Sequence, residues 1–279
     1  MSGDQNLALF CDFENIALGV RDLKSAKLDM KLILERLLLK GSIVVKKAYC
    51  DWDRYKEFKA QMHGAAFELI EIPHVRQSGK NSADIRMVVD ALDLCYTKAH
   101  IDTFVIISGD SDFSPLVSKL RENAKTVIGV GVRASTSELL ISNCHEFIFY
   151  DDLIPEAAPR APARRRPSRR GRGVKSDAAG AEAAPASLDR TRDDKALEGI
   201  TLVLETAAAL YAERGDGAKL WASMVKQTLR RRRPDFTEAA YGYQSFNDLI
   251  EDAAKRGLVD LARDDKSGGY VIHKIRTPA

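Results

Sequence analysis

The chain has 279 residues with an ordinary apolar content of 45% and a formal net charge of +3; a soft prior gives about two domains. No apolar run approaches the roughly 20 residues that a bilayer span needs. Met1–Phe10 carries Asp4 and no basic cluster, unlike a secretory signal, and both features point to the cytoplasm.

The charge is unevenly spread. Residues 1–154 carry 19 Lys and Arg against 22 Asp and Glu, residues 155–187 carry 8 against 3, and residues 188–279 carry 16 against 15. An acidic front, a basic connector and a balanced end are thus hidden beneath the total. Cys11, Cys50, Cys95 and Cys144 are far apart and show no CxxC spacing. They read as small buried hydrophobes in a reducing compartment.

In chain order, Leu7–Cys11 is a short apolar run. Apolar residues at 30, 33, 34, 37 and 38 have helical spacing. Ile43–Cys50 reads as a strand, Trp52–His63 as a helix, and Phe67–Pro73 as a strand. Over 82–100, Ile85, Val88, Val89, Leu92, Cys95 and Tyr96 mark one helical face. Thr103–Ser108 (TFVIIS) is a buried strand. Pro115 suits the first turn of a helix running to about Glu122. Thr126–Gly131 is a strand, Ser135–Asn143 a helix, and Glu146–Tyr150 a last strand. This β-α alternation predicts a parallel sheet covered on both faces. Ligands of such sheets bind at the carboxyl ends of the strands.

Residues 155–187 are rich in Pro, Ala, Arg and Gly and offer little to bury, so they read as a disordered linker. Its arginines suit RNA phosphates or serve a soluble tether. Over 188–279 the patterns give helices at Lys195–Arg214, Leu220–Arg230 and Phe246–Arg256, the last closed by Gly257. Two short strands follow at Leu258–Leu261 and Gly269–Ile272. Helices followed by a β-hairpin suggest a small winged-helix-like α+β domain.

Four carboxylates stand out by position. Asp12 ends the first strand, in LFCDFEN; Asp110 and Asp112 follow the fourth, in SGDSDF; Asp84 lies in the first turn of the helix that starts near Ser82. If the first and fourth strands are neighbours, these groups converge. Clustered carboxylates stay ionised together only around a cation. All-oxygen ligands suit Mg²⁺ or Mn²⁺, and such an ion activates water for attack on a phosphate. Asn15 is placed either to hydrogen-bond a metal-bound water or phosphate, or to cap a turn. Ser108 and Ser111 flank the acidic pair and are expected to orient carboxylates. Glu14 points away from Asp12 if the strand persists. Asp90 reads as structural or as a support standing behind the ligands. Arg76 and Lys80, on a loop before Asp84, are placed to guide a phosphate backbone.

The pieces LALFCDFENI, GKNSADIRMVVDAL and FVIISGDSDFSPLVSKLRENAKTVIGVG resemble the NYN domains, a LabA-like branch of the PIN-like nucleases, across most of residues 5–150. That resemblance implies a PIN-like sheet over 1–154 and metal-dependent RNA cleavage with Asp12, Asp84, Asp110 and Asp112 as ligands. The run WASMVKQTLRRRRPDFTEAAYGYQSFNDLIEDAAKRGLVDL resembles the LOTUS or OST-HTH domain. This implies binding of RNA, including guanine-rich RNA, or of a protein partner. Lys226, Arg230, Arg231, Arg232 and Arg233 are then candidate phosphate contacts, although cations at a helix C-terminus also favour its dipole. Tyr243 and Phe246 read as core aromatics, and Tyr241 is undecided.

The leading expectation is an endoribonuclease whose second domain selects RNA. The alternative is a catalytically silent RNA-binding or scaffold protein. A haloacid dehalogenase-type phosphatase wants a second Asp where this chain has Glu14. The sequence leaves the oligomeric state open.

Overall fold

Alternation along the strands builds the first part of the molecule. The computed structural model describes residues 5–23, 28–72, 82–154, 186–214, 219–264 and 268–276, with the side chains of 186–192, 214 and 274 set aside. Its first elements are β1 (Gln5–Asp12), α1 (Phe13–Asp22), α2 (Met30–Leu38), β2 (Gly41–Cys50), α3 (Lys56–Gly64) and β3 (Glu68–Glu71). There follow α4 (Ser82–Thr97), β4 (Thr103–Ile107), α5 (Ser114–Glu122), β5 (Thr126–Gly131), α6 (Glu138–Asn143) and β6 (Glu146–Phe149).

The six strands form one parallel sheet in the order β3-β2-β1-β4-β5-β6. Successive side chains of a strand point to opposite faces. Leu7, Leu9 and Cys11 of β1 therefore join Val105 and Ile107 of β4 in one core, with Ile16, Val20, Ile33 and Leu37 from α1 and α2. Ala8 and Phe10 join Phe104 and Ile106 in the other, with Met87 and Ala91 of α4 and Leu116, Val117 and Leu120 of α5. Helices cover both faces, as the near-continuous apolar runs predict. Strand order reverses between β1 and β4, and this switch point brings Asp12 beside the loop after β4.

Helix α1 is not among the expected elements, although Phe13, Ile16, Ala17 and Val20 have helical spacing. Asp12 ends β1 and caps α1, accepting the Asn15 N–H at 3.3 Å. Helix α3 starts four residues later than expected. Asp51 holds the preceding turn outside it, accepting Asp53 N–H on its side chain at 3.2 Å and Arg54 N–H on its carbonyl at 3.0 Å. All four cysteines are free and buried.

The chain divides into two compact units, Met1–Ile154 with Ser223–Thr237, and Pro155–Ala222 with Glu238–Ala279. The later elements are α7 (Ala186–Arg214), β7 (Leu220–Trp221), α8 (Ala222–Arg232), α9 (Phe246–Lys255), β8 (Val259–Arg263) and β9 (Tyr270–Ile275). All but the first residue of α8 belong to the first unit. The second unit holds a small antiparallel sheet in the order β7-β9-β8. Helix α7 begins earlier than expected, and the expected helix from Leu220 opens instead with the two residues of β7. In α9, Phe246, Leu249, Ile250 and Ala253 are buried at helical spacing, and Ser245 caps its start by accepting Asp248 N–H at 3.2 Å. Gly257 follows at φ +74, a conformation that costs glycine no Cβ clash. Among the described residues no helix is long and apolar enough to cross a membrane.

Candidate active site

Asp12 sits where β1 becomes α1. Its Oδ1 accepts the Asn15 N–H, and its Oδ2 accepts the Ser108 hydroxyl at 3.0 Å. The same hydroxyl oxygen accepts Asp110 N–H at 3.2 Å. Ser108 thus ties the carboxylate of one strand to the loop of its neighbour, as expected of an orienting residue. Asn15 adds a second tie, its Oδ1 accepting Gly109 N–H at 2.8 Å. It therefore holds the two loops in register rather than capping a turn with its side chain.

The glycine of SGDSDF has a packing reason. A Cβ on Gly109 would stand 2.6 Å from the Ser135 carbonyl oxygen, and the Gly109 carbonyl accepts Ser137 N–H at 2.9 Å. Any side chain there would push the loop after β5 off the site. Asp110 caps the short 3-10 turn Ser111–Phe113 by accepting Asp112 N–H at 3.0 Å, and Asp112 is exposed at the rim.

Electrostatics show that the acids share one region. Burial pushes the Asp12 carboxyl up to about 7, with the charges of Asp84 and Asp110 adding to it and hydrogen bonds from Asn15 and Ser108 opposing it. Asp84, in the first turn of α4, is also raised, by burial first and then by Asp110, Asp112 and Glu14. The four aspartates thus act on one another from three separate segments. Among the described residues no three His, Cys, Asp or Glu side chains are drawn into a ready-made metal cage. The donor set that a cation would gather from these four side chains is all carboxylate oxygen. That set fits a hard divalent ion rather than zinc.

Two expectations are corrected. Glu14 does not turn away from Asp12: residues two apart on a strand share a face, so even a continuing strand would keep both acids on one side. The strand stops at Asp12, Glu14 lies in the first turn of α1, and its charge reaches Asp84. It also pairs with Arg54 at 3.4 Å. An Asp followed by an acidic residue two places on is itself a helix-start signal, and it would have placed Glu14 at the mouth. Ser111 bonds no carboxylate through its hydroxyl among the described residues; it lines a groove beside Asp112 instead.

Asp90 proves to be an anchor. Its Oδ2 accepts the Tyr49 hydroxyl at 2.9 Å and lies 3.4 Å from Lys47 Nζ, and its Oδ1 accepts Arg86 Nε at 3.0 Å. Arg76 and Lys80 lie outside the described residues. Lys226 and Arg230–Arg232 lie on α8, and Arg233 follows it, 3.3 Å from Asp235.

The sequence profile of the NYN domain matches residues 6–151. The chain belongs to the NYN family. Meiosis regulator and mRNA stability factor 1 of Xenopus tropicalis is 28% identical over 156 residues, 56% of this chain and 9% of that protein. An uncharacterized protein of Methanocaldococcus jannaschii is 28% identical over 138 residues, 50% of this chain and 52% of that one. The chain thus spans a small part of the first relative and about half of the second. A crystal structure of a Vibrio parahaemolyticus protein of unknown function is 24% identical with a TM-score of 0.49, covering 55% of this chain and 97% of that one. In this NYN domain the site-bearing segments, from the end of β1 through α4 to the loop after β4, all fall inside the matched residues.

Proposed function

We propose that this protein is a metal-dependent endoribonuclease, with a nuclease domain at 1–154, a basic linker at 155–187 and an RNA-selecting LOTUS-like, winged-helix-like domain at 188–279. The observation that carries this reading is electrostatic: burial, with the charges of Asp84 and Asp110, lifts Asp12 to about 7, and Asp110 and Asp112 in turn act on Asp84. Partly buried carboxylates held near like charges are costly to keep for stability alone, and such perturbed groups concentrate at functional sites. The similarity to a protein named as an mRNA stability factor supports RNA as the substrate.

Asp12, Asp84, Asp110 and Asp112 would hold Mg²⁺ or Mn²⁺. When bound, such an ion supplies an activated water and charge stabilisation for in-line attack on a phosphodiester. Ser108 and Asn15 fix the loop carrying Asp110 against the end of β1, so the acids are positioned before substrate arrives. The side-chain amide nitrogen of Asn15 is left to meet a phosphate oxygen, since its oxygen is committed to Gly109. The acidic mouth repels an RNA backbone everywhere except at the ion. Most of the grip on RNA therefore comes from basic groups, with Arg76, Lys80, Lys226 and Arg230–Arg233 as candidates and guanine-rich or structured RNA as the ligand. We assign the protein to the cytoplasm.

The test is degradation of labelled RNA by the full chain with Mg²⁺ or Mn²⁺, with EDTA, and with Asp110→Asn. Cleavage that needs the ion and Asp110 supports the reading. RNA binding without cleavage makes the protein a silent RNA-binding or scaffold protein.

A further inference from the structure

Beside the acidic mouth lies an open groove of about 460 Å³ lined by Ser111, Asp112, Ser114, Pro115, Ser118 and Leu139. Among the described residues Asp112 is its single charged lining residue. Ser111, Ser114 and Ser118 follow at i, i+3 and i+7, so they present hydroxyls along one side of the 3-10 turn and α5. Leu139 on α6 is 57% exposed, an apolar shelf facing water. The Ser114 hydroxyl is buried and has no hydrogen-bond partner among the described residues. Buried hydroxyls are normally paired, and the staggered wells of a serine χ1 let this one turn toward an occupant.

We propose that this groove is the subsite for the nucleoside next to the cleaved phosphate, an inference that rests on the nuclease reading of the adjoining acids. Its described lining holds none of the cations that a phosphate would want, so it suits the uncharged part of an RNA strand. Asp112 belongs to both features: it borders the groove and its charge acts on Asp84 in the acidic mouth. A strand whose phosphate sits at the acids can thus lay its neighbouring ribose and base along the serines. Leu139 and Pro115 offer apolar surface to the face of the base. Hydroxyls both donate and accept, so the subsite grips any base edge or ribose hydroxyl and selects little by sequence. Sequence choice then has to come from elsewhere in the chain.

The experiment uses the full chain with methyl-labelled leucine and a six-residue oligouridylate in EDTA, where nothing is cut. Saturating oligonucleotide should shift the Leu139 methyl signals. Ser118→Phe, which fills the groove, and Leu139→Asp, at an exposed position that tolerates a charge, should each weaken oligonucleotide binding about tenfold. Both should leave the Mn²⁺-induced rise in Tm as it is in the native protein. Leu139 signals that stay put, or unchanged binding by both variants, overturn the subsite. Cleavage by the native protein in Mn²⁺ is scored separately. Shifts without cleavage would retain the groove and sink the nuclease reading; cleavage with no shifts would do the reverse.

Discussion

The Tyr49 hydroxyl on β2 donates a 2.9 Å hydrogen bond to Asp90 on α4. Tyr49 stands opposite Asp12 in the β1–β2 register, and Asp90 lies six residues after Asp84 on the same helix. The bond therefore ties the helix carrying one acid of the site to the strand beside another. Tyr49→Phe removes it while leaving Asp90 its pairing with Lys47 and Arg86. We expect a stability loss of about 1 kcal/mol in urea denaturation. We also expect Mn²⁺ affinity to fall, though by less than the roughly tenfold that follows loss of a group bonded to a ligand itself, since Asp90 acts only through its helix. Calorimetry showing native affinity in the variant would limit the bond to a role in stability.

Asp110→Asn keeps the side-chain oxygen that caps the 3-10 turn, so the fold should survive. Circular dichroism should match the native protein. The missing charge is one the ion needs, and RNA cleavage should drop by more than roughly 100-fold, beyond the cost of changing a residue that merely supports a ligand. A variant that folds and cuts at the native rate would remove Asp110 from the site.

Asp12 sets a pH dependence whose sign follows from its raised pKa. Unfolded, its carboxyl titrates near the ordinary 3.8; folded, near 7. Between these values the folded chain binds the proton more tightly, so the metal-free protein should lose stability as pH rises from about 4 to about 7. Asp12→Asn should flatten that part of the profile. A divalent ion must displace the same proton. Its affinity should therefore climb by up to roughly tenfold per pH unit toward 7 and level off above. An affinity that does not vary between pH 5 and 7 would take Asp12 out of the ligand set.

The six strands and the four aspartates were legible because both are local patterns: apolar runs of strand length, each candidate acid at a strand end or helix start. Three features were not. Helix α1 does carry Phe13, Ile16, Ala17 and Val20 at helical spacing, but it spans only ten residues and begins directly where β1 ends, with no turn to separate it from the strand. Strand β7 has two residues and exists through pairing with β9. Asp90 is structural, as its place on α4 suggests, but its partner Tyr49 comes from a strand 41 residues away, which no spacing within α4 reveals.

The arginines at the end of α8 test where the grip on RNA lies. Arg231 and Arg232 are exposed in its last turn, whereas Arg233 is paired with Asp235. Cations at a helix C-terminus also favour its dipole, so Arg231→Ala/Arg232→Ala should cost a few tenths to about 1 kcal/mol whether or not they touch RNA. Stability alone does not separate the two roles, but salt does. Each phosphate bound on single-stranded RNA adds about 0.7 to the slope of log affinity against log salt. If both arginines bind phosphate, the double variant of the full chain should show a slope lower by ~1.4. Its KM for cleavage should rise, with kcat at saturating RNA unchanged. The metal-induced rise in Tm should be unaffected, because no ligand is touched. Filter binding across a salt series reads this directly. A slope equal to that of the native protein would leave these arginines to the helix dipole and make a protein-interaction module the better reading of the C-terminal part.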